Sequence, residues 1–260
     1  MKANRIWAAA AVLVVTLVIG GGSAGAVDSK ALLLEMATKI AQAQRFTVTM
    51  MMNYDAVQKT GEKVEFSEKR KITIERPGHL RVDARQSDGD RSLMIFDGKT
   101  IALCSLTHNV YSQTKFTGSV DEAVRFAGGR LGIRIPLARM LVTSFPREIE
   151  SLMREVYYVE RDTLRESPTD HLFIVFDNVD CQVWIAADKL PRRIVLTYKH
   201  DPGQPQFRAD FSGWDLEPKI PSQAFVFTPP SGAEKIPMLL PAAVLPALDK
   251  EKQKQKGGAQ

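Results

Sequence analysis

Apolar and polar residues change rhythm several times along this chain, and each rhythm predicts an element. The stretch DSKALLLEMATKIAQAQRF opens at a capping-type Asp28 and repeats Leu32, Leu33, Met36 and Ile40 at helical spacing. It predicts an amphipathic helix whose apolar stripe must pack on something. At FTVTMMMNY the period drops to two, which places Phe46, Val48, Met50, Met52 and Tyr54 on one strand face. Further strands are predicted over 71–75, 80–85, 92–96, 101–106 and 110–111. Asp88-Gly89 and Asp97-Gly98 supply residues suited to tight hairpin turns.

The middle of the chain reads differently. Ser119 and Glu122 form a capping-box pattern ahead of Ala123, Val124, Phe126 and Ala127. Gly128, Gly129 and Gly132 interrupt, and IPLARMLVTSF and PREIESLMREV predict two more short helical segments, with Pro146 suited to a first turn. Strand patterns return in YYVER, HLFIVFD, CQVWIAA, RRIVLTYKH and FRADFSGWDL, and IPSQAFVFTPP closes the ordered part. Strands, helices and strands again, joined by hairpin-length links, predict a single α+β domain. One antiparallel sheet curved around a few helices fits better than parallel βαβ units. No repeat at a fixed period is present.

The N-terminus sets the expected compartment. Lys2 and Arg5 precede an apolar run from Ile6 to Ile19, and Ala24-Gly25-Ala26 has the small-x-small form of a signal-peptidase site. Residues 1–26 are therefore expected to be a cleaved secretory signal, with cleavage near Ala26 and a periplasmic mature chain. No later run is long enough to span a membrane. Loss of Lys2 and Arg5 lowers the formal charge from +5 to +3, too small an excess to suggest nucleic acid. The domain is expected over 27–236, followed by a Pro- and Lys-rich flexible tail over 237–260.

Candidate chemistry is sparse. GGSAG, residues 21–25, matches the G-x-S-x-G pattern of serine hydrolases, but it lies in the leader and lacks the strand-to-helix context. His79, His108, His171 and His200 are scattered singly, so no metal site or cofactor is expected from spacing. Cys104 and Cys181 form no C-x-x-C. In an oxidising compartment they are a possible disulfide, which would stabilise the fold by about 4 kcal/mol in the chain-entropy model. The alternative is two separate buried thiols. No catalytic motif is found, and a non-enzymatic role is expected.

Apolar surface remains. Met50, Met51 and Met52 sit together in a strand, either as a flexible wall that moulds to acyl chains or as gap-fillers in a fixed core. Alternation assigns Met50, Met52, Leu80, Val82, Met94, Phe96, Phe126, Met140, Ile174, Phe176, Trp184, Ile194 and Leu196 to one inward lining. A one-residue slip would turn any of these strands over.

Three stretches near the C-terminus resemble a known family: the hairpin WIAADKLPRRI, the strand FSGWDL and the ending PSQAFVFTPP. With FDGKTIAL and the helix-plus-strand start, they resemble domain-of-unknown-function family 2092, predicted periplasmic proteins, over the mature chain to about Ile236. That family is similar to Lol-type periplasmic lipoprotein carriers. The resemblance implies an unclosed barrel, one strongly curved antiparallel sheet wrapped around helices, with an apolar cavity beneath a helical lid. Residues 118–145 are the candidate lid. It also implies a carrier for a lipid or a lipoprotein acyl chain, or else a sensor domain that docks on an envelope protein partner.

Overall fold

The computed structural model describes residues 27–129 and 137–238. The expected signal and residues 239–260 of the expected tail lie outside them, as does the 130–136 part of the candidate lid. Asp28 caps the first helix, its carboxylate accepting the Ala31 N–H at 2.9 Å, and α1 runs over Ser29–Gln42 with Leu32, Leu33, Met36 and Ile40 buried. A long hairpin follows, β1 (Arg45–Val57) against β2 (Lys63–Glu75). Then come β3 (His79–Gln86), β4 (Arg91–Phe96), β5 (Thr100–Ser105) and β6 (Val110–Lys115). The Ser119–Glu122 box closes as its spacing predicts, with Ser119 N–H donating to Glu122 Oε2 at 2.8 Å, and opens α2 (Val120–Gly129). A 3₁₀ turn (Ala138–Leu141) and α3 (Phe145–Leu152) complete the helical insert.

The chain then returns to strands: β7 (Glu155–Asp162), β8 (Thr169–Val175), β9 (Val179–Ala186), β10 (Pro191–Tyr198) and β11 (Gln206–Asp215). A 3₁₀ turn (Ser222–Phe225) and the two-residue β12 (Glu234–Lys235) end it. All strands join one unclosed sheet in the order β12-β6-β5-β4-β3-β2-β1-β11-β10-β9-β8-β7. Every pairing is antiparallel except β12 on β6. Two meanders thus meet where β11 returns beside β1, and the sheet curves around the helices so that both halves share one core.

Register explains that core. Phe46, Ile74, Leu80, Phe96 and Ile101 form one cross-strand row on the inner face, and Val48, Ile72, Val82, Met94 and Leu103 form the next. The third row turns polar: Met50, Arg70, Ala84, Ser92 and Ser105. The outer face of the same strands is also covered. Ile95, Ala102 and Cys104 are buried there, and the segment after β11 crosses that face. Phe225 stacks on His79 at 4.9 Å, Ala224 O accepts from Arg81 at 3.1 Å, and Phe227 meets Tyr111 at 5.5 Å.

One residue pins the insert. Arg76, with its side chain only 5% exposed, donates from Nε to Ala43 O at 3.0 Å and from Nη2 to Leu141 O at 2.8 Å. Its Nη1 pairs with Asp121 at 3.3 Å, and Asp121 in turn accepts the Thr143 N–H at 2.9 Å. The end of α1, the start of α2 and the 3₁₀ turn are therefore tied at a single guanidinium, a planar group with enough donors for the task.

Candidate functional site

Between sheet and helices lie two apolar hollows. The smaller, ≈ 370 Å³, is bounded by β1–β6 on one side and by Ile40, Val124, Ala127 and Leu141 on the other. The larger, ≈ 810 Å³, lies between β8–β10 and the helices α1 and α3, against Leu33, Met36, Phe145 and Ile149. They adjoin along Val124, Leu137, Ala138 and Met140, which line both. The helical insert thus divides one groove into two.

The residues assigned inward by alternation have separate fates. Met50, Leu80, Val82 and Met94 line the smaller hollow, Ile174, Phe176, Ile194 and Leu196 the larger, and Met140 both. Met52 and Phe96 share the inner face but are packed shut, 2% and 0% exposed. Phe126 turns to Phe116, with ring centroids 4.6 Å apart, and borders neither hollow. Trp184 stands on the outer face and is a correction. The β9 register opposes it to His171 and Arg193 and gives the inner positions to Cys181 and Val183. It stacks on His171 at 4.0 Å, with the Arg165 and Arg193 guanidiniums 5.2 and 5.8 Å from its ring.

Trp214 lines a hollow instead. Strict alternation would place it outward with Asp210 and Ser212. The pairing of β1 with β11 steps from Thr47↔Asp215 to Thr49↔Ser212, an extra residue centred on Gly213 at φ +61°. That bulge, in a backbone region glycine tolerates, turns the indole inward beside Phe46 and Phe211. Its N–H donates to Pro191 O at 3.0 Å.

Of the two alternatives for the cysteines, separate buried thiols are what the structure holds. Cys104 and Cys181 are free, on opposite faces of β5 and β9, with six strands between them. Burial pushes the Cys181 thiol up to about 12 and raises that of Cys104, so both stay protonated at neutral pH and are poor nucleophiles. His171, on the outer face, is held below the usual histidine value by burial, although its Nε2 lies 3.1 Å from Gln182 Oε1. Among the described residues no group of three His, Cys, Asp or Glu side chains is placed to hold a metal. Nor is any described helix long and apolar enough to cross a membrane.

Charges at the hollows were not legible from spacing. In the smaller one Glu68 and Arg70 form a two-pronged pair, Nε to Oε1 at 2.6 Å and Nη2 to Oε2 at 3.0 Å. Their i,i+2 spacing on β2 would have placed them on one face, but the strand itself reads as polar. At the larger hollow stand Arg125, Arg139 and Glu148.

No curated protein matches the sequence. Among solved structures the chain is similar to a chain of the Pseudomonas aeruginosa MucA/MucB complex, at 16% identity and a TM-score of 0.40. That likeness covers 72% of this chain and 56% of that one, so this chain spans little more than half of its length. It is similar to LprF from Mycobacterium bovis, at 13% identity and a TM-score of 0.46 over 75% and 96% of the two chains. A LolA superfamily protein, NE2245 from Nitrosomonas europaea, is similar at 9% identity and a TM-score of 0.36 over 76% and 98%. The model of the DUF2092 family, described as predicted periplasmic proteins, matches residues 29–239, every helix and strand named above, and this chain belongs to that family.

Proposed function

We propose that this protein is a non-enzymatic periplasmic binding or carrier protein that holds an acyl chain of a lipid or lipid-modified partner between sheet and helices. The family is periplasmic by description, and the expected leader cleaved near Ala26 is the means of export. One observation carries the reading: the hollow of ≈ 810 Å³ lined by Ile174, Phe176, Val183, Ile194 and Leu196 against Phe145 and Ile149. That volume falls within the range of ligand pockets, about 300–1,000 Å³. Each methylene moved from water to such a surface gains about 0.8 kcal/mol, so ten gain about 8 kcal/mol before the cost of association. The side chains of Ile174, Phe176, Val183, Ile194 and Leu196 are hydrocarbon, which suits an acyl chain.

Native mass spectrometry of protein purified from periplasm without detergent, with lipid extraction alongside, tests the proposal. A stoichiometric adduct of acyl-chain mass is expected. A clean apo mass that stays apo after incubation with membrane vesicles would overturn the carrier reading and turn the search to docking on an envelope protein.

A further inference from the structure

Among the described residues, the rim of the larger hollow carries more positive than negative charge. Arg125 comes from α2, Arg139 from the 3₁₀ turn and Glu148 from α3, and all three line the opening. Glu148 is shared by both guanidiniums at a distance: Arg125 Nη2 lies 3.9 Å from Oε1 and Arg139 Nη1 lies 3.6 Å from Oε2. Both separations exceed a good hydrogen bond. The close partner of Glu148 is the Ser144 hydroxyl, which donates to Oε1 at 2.6 Å and accepts from Arg125 Nη2 at 3.0 Å. Among the described residues, two cations therefore face one carboxylate that is already engaged.

The smaller hollow shows the opposite arrangement. There Arg70 is gripped by Glu68 through two short bonds, one charge for one, and an incoming anion would have to displace a carboxylate. The larger hollow needs no such displacement. Its lining also includes Gly128 and Gly129. An apolar interior below a rim of surplus guanidinium is matched by one kind of molecule. We infer that the larger hollow takes an amphiphile with an anionic head, its carboxylate or phosphate held by Arg125 and Arg139 and its chain inside. Planar guanidinium forks fit both head groups. The inference rests on the acyl-chain reading above and specifies the class of ligand.

The experiment titrates the full mature protein with laurate, dodecyl phosphate, dodecanol and dodecyltrimethylammonium, each below its micelle concentration, by displacement of a fluorescent apolar probe. Laurate and dodecyl phosphate are expected to bind about tenfold tighter than dodecanol, the magnitude of one charge-assisted contact pair. Which of the two binds tighter separates a fatty-acid source from a phospholipid source. In the double variant Arg125→Gln/Arg139→Gln the preference should vanish while dodecanol affinity stays unchanged. Both side chains are more than half exposed, so the variant should melt like the parent. Glu148→Gln removes the competing carboxylate and should widen the preference. Equal binding of laurate and dodecanol to the parent, or a preference that survives the double variant, would overturn the head-group assignment alone. Failure of all four amphiphiles to displace the probe would overturn the acyl-chain reading and this inference with it.

Discussion

The two halves of the sheet are built from similar strands and end in different surroundings. On the β2–β6 side the inner face lies under α2 and the 3₁₀ turn, and the segment after β11 crosses the outer face. The hollow left there is ≈ 370 Å³, and its charges cancel one for one. On the β8–β10 side the outer face carries Trp184 between His171 and Arg193, and the inner face opens on ≈ 810 Å³ with two arginines at the rim. Apolar alternation marks both inner faces alike. What separates a packed half from a hollow one is how completely other elements cover the strands, which is a property of packing.

The sharpest way to break that comparison is a matched pair of truncations. Phe96→Ala, in the packed half and fully buried, should destabilise by about 4 kcal/mol, whereas Leu196→Ala at the half-open wall should cost about 1 kcal/mol. Urea midpoints read both, and equal losses would mean that the larger hollow is as closely packed as the smaller. Next in size is Arg76→Ala. It removes the guanidinium that ties α1, α2 and the 3₁₀ turn, leaves Asp121 without its cation, and should cost about 3 kcal/mol in the same assay.

Thiol chemistry gives a smaller, qualitative contrast. Both cysteines should be alkylated in urea without prior reduction, adding two labels by mass. In the native state at pH 8 Cys181 should stay unlabelled, because burial holds its thiol at about 12 and the thiolate is scarce. A mass showing one internal bridge would contradict the separation of β5 from β9. The smallest effect belongs to His171. Burial lowers its folded-state pKa, so the unfolded chain binds the proton more tightly. The stability this contributes is complete above about pH 6.5 and falls as pH drops through the folded-state value. Parent protein should therefore show a lower urea midpoint at pH 5.5 than at pH 7, and His171→Gln should lessen the difference.

Several elements are encoded locally. Asp28 and the Leu32–Ile40 stripe, the Ser119–Glu122 box and the Phe46–Tyr54 alternation each involve neighbours in sequence, and all form as predicted. The first part of β2, KVEFSEKR, carries no sustained strand period, because both its faces are largely polar and its structure comes from pairing with β1. IPLARMLVTSF predicts a helical segment, yet among its described residues only the 3₁₀ turn Ala138–Leu141 is helical before Phe145 begins α3.

Local hydrogen bonding and side-chain periodicity act within a few residues, and they set most of the helices and strands, the antiparallel α+β class and the apolar faces. Tertiary structure sets which tryptophan faces inward: the bulge at Gly213 lies in β11 itself and turns Trp214 inward, whereas the irregularity beside Trp184 lies on the neighbouring β10, between Pro191 and Arg193, and leaves the alternation of β9 intact. It alone separated Cys104 from Cys181 and gathered Arg125, Arg139 and Glu148 at one rim, for these depend on strand order and on where the insert docks. Such contacts join residues distant in sequence, and spacing along the chain carries no record of them.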